Sequence, residues 1–313
     1  MTKNYTNLTK KTSKNGATDS IRVIDRFYSK APELRKIFES RFENPLQASS
    51  DRFCWDYWRV KDQYQLLRTP AEDFFGKAFQ AFLNELMNWS RQNLGCQMIS
   101  HPWLSAYVDG SFQALHSDVP HGPWSFVYSL TPWQSRRFTG GETLIAKPKL
   151  LRYFQEMKHD ESHEQVDFFE TIEPEMNRLT IFDPRYPHGV KEVKGEHDLL
   201  KSRLVIHGWF TEPRPMLEGA LSYKKILKPM DELALQLISA IEPEEYTGLL
   251  STRFKIDSSG KVISREVVCG HLVQPSGESM SSRNLDAILD RVEISFPKAS
   301  GPSILTLPVE FKR

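Results

Sequence analysis

The chain has 313 residues, 39% of them hydrophobic and 12% aromatic, with 41 Lys and Arg against 40 Asp and Glu. That length suits one large domain plus a smaller one, and the composition is that of a globular chain with a real core. The even charge says little about partners and lacks the positive excess usual in a nucleic-acid enzyme, so no nucleic acid is expected; no apolar run approaches the ~18 residues of a membrane span, and three scattered cysteines outside any CxxC pattern fit a reduced, cytoplasmic setting.

Residues 1–20 are rich in Lys, Thr, Asn and Ser with almost no apolar side chain. They read as a disordered tail and lack the apolar stretch of a signal peptide. From 21 to about 100 the pattern is expected to be helical. The clearest helix opens at Thr69-Pro70-Ala71-Glu72, a capping box with proline at the first helical position. Phe75, Phe79, Phe82, Leu86 and Trp89 then recur at helical spacing, and Gly95 stands where a terminating glycine belongs. This helix should lay one apolar stripe against a sheet.

From about 103 to 210 the period becomes two. Strands are expected at 103–108, 112–118, 125–130, 142–146, 166–172, 178–182, 188–193 and 203–210, punctuated by Gly, Pro and Asp. Many short strands behind a helical support predict a mainly β fold, a sandwich or jelly-roll barrel. The stretch 147–165 breaks the pattern and reads as an insertion. Its His159 and His163, beside Asp160, Glu161 and Glu164, imitate a metal site but lie in strongly hydrophilic sequence, as a solvated segment would.

Thr211-Glu212-Pro213-Arg214-Pro215 reads as a linker. After it come a helix at 223–241, strands at 252–257 and 262–269 around a Ser258-Ser259-Gly260-Lys261 turn, a helix at 284–294 and a strand at 304–311. That order makes a small α+β unit. The expected organisation is a tail (1–20), a large β domain with helical support (21–212), a linker and helix (213–244) and a small α+β domain (245–313).

The sharpest chemical signal is His116-Ser117-Asp118. Residues two apart on a strand share a face, so an imidazole and a carboxylate meet at one point. One more histidine completes the two-His-one-carboxylate set that holds iron and leaves positions open. His188 follows a Pro-rich turn, Asp183-Pro184-Arg185-Tyr186-Pro187, at the start of a strand. In Arg203-Leu204-Val205-Ile206-His207-Gly208-Trp209-Phe210, alternation puts Arg203, Val205, His207 and Trp209 on one face. An arginine facing a barrel interior costs several kcal/mol unless an anion pairs with it, and a dicarboxylate is a fitting anion.

These residues sit in an ordered set of motifs. They are Tyr107-Val108-Asp109-Gly110, His116-x-Asp118, Val127-Tyr128-Ser129-Leu130 and Phe138-Thr139-Gly140-Gly141-Glu142-Thr143, then Arg178-Leu179-Thr180-Ile181-Phe182, His188-Gly189-Val190, and Arg203 ahead of Trp209-Phe210. The span from about 100 to 210 resembles the Fe(II)/2-oxoglutarate oxygenase core of prolyl 4-hydroxylase-like enzymes. The resemblance implies a double-stranded β-helix (jelly-roll) in which His116, Asp118 and His188 bind Fe(2+) and Arg203 grips the far carboxylate of 2-oxoglutarate. It also implies O2 as cosubstrate, with ascorbate as a candidate reductant. Tyr107 matches a position that often helps hold 2-oxoglutarate, and His207 is either a pocket group beside it or a core histidine. Ser129 stands where relatives can carry a second tyrosine. Asp118 argues against halogenation, which needs that carboxylate absent.

The substrate expected from the resemblance is an amino-acid side chain in a protein or peptide, with proline leading; a free amino acid or other small metabolite is the alternative. A nucleic-acid demethylase of the AlkB kind is disfavoured because Trp209 stands where those enzymes carry a second arginine. A different class, a cupin-like metal-binding protein without oxidation, would keep the His-Asp-His cluster but would not need Arg203 inside. His121 is a loop residue near the mouth or a substrate contact, whereas Trp124 and Trp133 are expected in the core. The C-terminal run from Phe254 to Val262, followed by a helix and Phe296-Pro297, weakly resembles the TonB C-terminal-type fold. It suggests a partner or dimer contact, a recruiting module or a buttress.

Overall fold

The computed structural model describes residues 16–42, 55–119, 121–148, 150, 168–242 and 244–312. His159 and His163 lie outside them. Among the described residues no helix is long and apolar enough to cross a membrane.

The segment expected to be helical carries four strands as well as helices: β1 (Ile21–Ile24), β2 (Asp56–Val60), β3 (Tyr64–Pro70) and β4 (Cys96–Ile99). The helices are α1 (Ala31–Ser40), α2 (Ala71–Phe75) and α3 (Lys77–Asn93). Thr69 and Pro70 belong to β3, paired with Leu104 and Trp103. The capping box therefore does not form, and Pro70 precedes α2 without a side-chain cap. Sheet pairing outweighs the local capping signal here. The single helix expected from Ala71 onward is also split, because Gly76 takes a φ of +56° that ends α2 and starts α3. The stripe itself is correct: Phe79, Phe82 and Leu86 are buried, Trp89 packs on Phe210, and Gly95 follows the helix with φ +75°. Each fully buried ring contributes about 1.5–3 kcal/mol.

The following strands are β5 (Trp103–Tyr107), β6 (Phe112–His116), β7 (Trp124–Ser129), β8 (Thr143–Ala146), β9 (Phe169–Ile172), β10 (Leu179–Phe182), β11 (His188–Val190) and β12 (Arg203–Pro213). With β1 to β4 they form one curled antiparallel sheet, in the path β1-β10-β7-β12-β5-β3-β6-β11-β8-β9, with β2 on β3 and β4 on β12. This is the predicted jelly-roll. Its two halves are stitched by β3, which pairs with β5 through Leu67–Pro70 and with β6 through Tyr64 and Gln65. The helices cover one face of the sheet, where Phe38, Phe74, Phe79 and Phe82 share a core with Trp124, Phe126 and Tyr128. Trp133 is buried too, in a smaller cluster with Tyr107 and Val205.

Beyond β12 come β13 (Met216–Gly219), α4 (Tyr223–Ile241), β14 (Thr247–Ile256), β15 (Val262–Val273), α5 (Ser282–Asp290) and β16 (Ser303–Phe311). The strand order is β13-β16-β14-β15, and both helices pack on this sheet. Asp257 Oδ1 caps the β14–β15 turn by accepting from the Ser259 and Lys261 amides. Thr211 to Pro213, expected as linker, continue β12 in register with β4. Leu249 of β14 and Cys269 of β15 join the core of the large sheet, and Ser251 donates to the Leu94 carbonyl at 2.6 Å. Residues 17 and 18, expected in the tail, lie along β15: the Ala17 carbonyl accepts from the Gly270 amide and the Thr18 carbonyl lies 3.1 Å from His271 Nδ1.

Candidate active site

Antiparallel pairing of β6 with β11 sets His116 opposite His188. Asp118 lies just past the end of β6, held by its amide to the Pro184 carbonyl at 3.0 Å. The three side chains converge: one ligand atom from each lies within 4.8 Å of the others. His188 Nε2 is 3.2 Å from Asp118 Oδ2, and His116 Nε2 is 3.5 Å from Asp118 Oδ1.

Backbone carbonyls fix the ring orientations. His116 Nδ1 lies 2.8 Å from the Ala114 carbonyl and His188 Nδ1 lies 3.0 Å from that of Tyr186. A carbonyl only accepts, so each Nδ1 carries its proton and each Nε2 lone pair is left toward the common point. This is the orientation a metal-binding imidazole requires. Burial, helped by His188, pushes His116 below its ordinary pKa, which keeps it neutral at pH 7. Burial alone would raise Asp118, but the hydrogen bond to His188 and the nearness of the two imidazoles hold its carboxyl below the usual range. Two imidazole nitrogens and a carboxylate on one triangular face fit a divalent metal of the iron type.

The site opens into a cavity of about 610 Å³. Arg203, fully buried on β12, lines the same cavity. Its Nε donates to the Gly141 carbonyl at 2.6 Å and its Nη2 to Thr143 Oγ1 at 3.0 Å. The guanidinium carbon sits 4.4 Å from the centroid of the Tyr107 ring. Nη1 is buried and has no hydrogen-bond partner among the described residues. Burial lowers the arginine's pKa, partly offset by Tyr107. A buried guanidinium with one unused donor facing a cavity fits a carboxylate ligand. Tyr107 is itself buried, with its hydroxyl 3.4 Å from Gln113 Oε1.

The predicted face of β12 holds: Arg203, Val205, His207 and Trp209 all line the cavity. His207 Nε2 meets Ser105 Oγ at 2.8 Å, and burial together with the Arg203 charge pushes its pKa down to about 4. His121 stacks near Trp209, with ring centroids 4.5 Å apart, at the cavity mouth. Ser129 is not brought to the site; its hydroxyl donates to the Pro174 carbonyl at 2.6 Å. Sequence reasoning missed Gln113, Thr143 and Arg68, which also line the cavity. The alternation Tyr64, Leu66, Arg68 was the available signal for the last of these, since all three share the inward face of β3.

Residues 102–211 match the family model of the 2OG-Fe(II) oxygenase superfamily. No curated protein matches the chain. Among solved structures, a Trichoplax adhaerens prolyl hydroxylase in complex with a hypoxia inducible factor peptide is similar at 16% identity and TM-score 0.42, over 62% of this chain and 84% of that one. A Pseudomonas putida prolyl-4-hydroxylase is similar at 19% identity and TM-score 0.42, over 63% and 94%. HygX from Streptomyces hygroscopicus, with nickel and 2-oxoglutarate bound, is similar at 13% identity and TM-score 0.38, over 61% and 82%. Likenesses of this size carry nothing about substrate. The superfamily match spans every residue of the triad and Arg203.

Proposed function

We propose that the chain hydroxylates an amino-acid side chain, in a peptide or protein with proline the leading residue, using iron(II) held by His116, Asp118 and His188. Arg203 takes the far carboxylate of 2-oxoglutarate, with Tyr107 stacked on the guanidinium to fix its plane. The observation that carries this reading is the buried Arg203 with its free Nη1 on the cavity that the triad lines. A non-oxidative cupin-like protein would leave that buried charge without a purpose.

When bound, the ferrous ion and 2-oxoglutarate supply dioxygen activation coupled to decarboxylation to succinate, with ascorbate as the reductant that keeps iron ferrous. The protein's own part is placement. The carbonyls of Ala114 and Tyr186 aim both imidazoles. Gly141 and Thr143 hold the arginine so that one donor remains for the ligand. His207 stays neutral at pH 7, so beside Arg203 it offers a hydrogen bond and not a second charge.

The test is succinate release from enzyme, Fe(II) and 2-oxoglutarate, with proline-containing peptides and free amino acids as separate additions. Mass spectrometry follows the addition of one oxygen. Peptide-dependent succinate supports the leading reading, and stimulation by free amino acids alone moves the substrate to the alternative class.

A further inference from the structure

The cavity holds a second guanidinium that the cosubstrate does not explain. Arg68 lies on β3 in register with Asp56 on one side and Ser105 on the other, so it shares the inward face with the Ser105–His207 pair. Its guanidinium carbon is 3.1 Å from the centroid of the Trp58 ring and 3.9 Å from that of Trp103. Two indole rings thus lie against the cation, which leaves its N–H edge for a further ligand. Nε is buried with no hydrogen-bond partner among the described residues, and Asp56 acts on the charge without forming an ion pair there. Stacking on aromatic rings stabilises a cation but leaves its in-plane donors unsatisfied.

The charge balance of the cavity points the same way. Asp118 is the one carboxylate among the described lining residues, and it belongs to the triad. Arg203 lies opposite Tyr107, whereas Arg68 lies opposite Ser105, two residues further along β5. That offset is about 7 Å along the strand. The two guanidinia are separate seats, one at the closed end and one toward the mouth.

We propose that Arg68 is the specificity-determining residue for the primary substrate and receives a carboxylate of that substrate. Trp58, stacked on Tyr64 with centroids 5.4 Å apart, gives the adjoining apolar platform. The guanidinium edge matches a carboxylate in two parallel hydrogen bonds. The carboxylate is either the α-carboxylate of a free amino acid or an acidic group of a peptide. This inference rests on the oxygenase reading for the role of the substrate, but not for the existence of the carboxylate seat.

The experiment measures binding by tryptophan fluorescence and calorimetry, for the full chain with and without Mn(II) and 2-oxoglutarate. The probes are matched pairs: free L-amino acids and their amides, and proline-containing peptides with a glutamate or a glutamine. In the wild type an acid is expected to bind about 10- to 100-fold more tightly than its amide. Arg68→Gln should abolish the preference and Arg68→Lys restore part of it, with the thermal midpoint of each variant checked for intact folding. Preference among free amino acids identifies an α-carboxylate, and preference among peptides identifies an acidic residue. A panel in which no acid outbinds its amide overturns the proposal, as does a preference that survives in a folded Arg68→Gln. Failure of Mn(II) or 2-oxoglutarate to bind the wild type counts instead against the oxygenase reading, since the acid-amide comparison is also made without them.

Discussion

His271 of β15 and Asp183, at the head of the turn that carries His188, meet with Nε2 and Oδ2 3.3 Å apart. Both side chains are 2% exposed, and the contact is off-line for a hydrogen bond from that nitrogen. Arg185 completes the arrangement, with Nε 2.9 Å and 3.0 Å from the two carboxylate oxygens and Nη1 donating to Thr247 Oγ1 of β14 at 2.7 Å. Burial would raise the Asp183 carboxyl, but His271 and Arg185 hold it far below its ordinary range. The C-terminal unit thereby grips the turn between β10 and His188.

Removing a partner from that buried carboxylate should be costly. Arg185→Ala is expected to destabilise the chain by about 3 kcal/mol and to weaken metal binding, because the turn that aims His188 loses its anchor. Thermal unfolding and Mn(II) titration of the variant check both. Unchanged metal affinity in a destabilised variant would separate the grip from the site. The sign with pH follows from the depressed carboxyl: its stabilisation is full above the ordinary aspartate range and is lost as pH falls below it. Asp183→Asn should therefore lower stability at pH 7 and flatten the acid limb.

His207 titrates with the same sign from a different cause, since burial favours its neutral form. Its pKa is pushed down to about 4 in the folded chain, against about 6.5 when unfolded. The unfolded chain binds the extra proton between these values, so stability rises with pH through that window and is complete above it. As pH falls through it, about 3 kcal/mol is lost. His207→Asn should remove this slope. Urea unfolding at several pH values across the window reads it directly.

Gly140 supports Arg203 from a distance. It adopts φ +76°, and a Cβ there would sit 1.8 Å from the Glu192 carbonyl oxygen. Its neighbour Gly141 supplies the carbonyl that accepts from Arg203 Nε. Gly140→Ala is expected to cost about 1–3 kcal/mol and to weaken 2-oxoglutarate binding at the same time. Calorimetry on the folded fraction checks the second effect.

The residues most legible in the sequence were those whose partners lie within one strand or its continuation. His116 and Asp118 come together as their spacing requires, and the alternation of Arg203, Val205, His207 and Trp209 reads correctly. What stayed hidden depends on contacts between distant segments. β3 looked like the approach to a helix because Thr69-Pro70-Ala71-Glu72 is a strong local cap, yet β5 recruits it into the sheet. Arg68 is defined by rings from β2 and β5, so no window of sequence displays its setting. Asp183 and Arg185 read as turn residues because Thr247 and His271 arrive from the other sheet.

The central claim is that three side chains hold a metal and Arg203 holds a diacid beside it. Calorimetric titration of Mn(II) and then 2-oxoglutarate into wild type, Asp118→Ala and Arg203→Met tests it most directly. The expected result is one metal per wild-type chain, loss of that binding in Asp118→Ala, and retained metal with 2-oxoglutarate weakened about 10- to 100-fold in Arg203→Met. Wild-type metal affinity in Asp118→Ala, or wild-type 2-oxoglutarate affinity in Arg203→Met, would contradict the account.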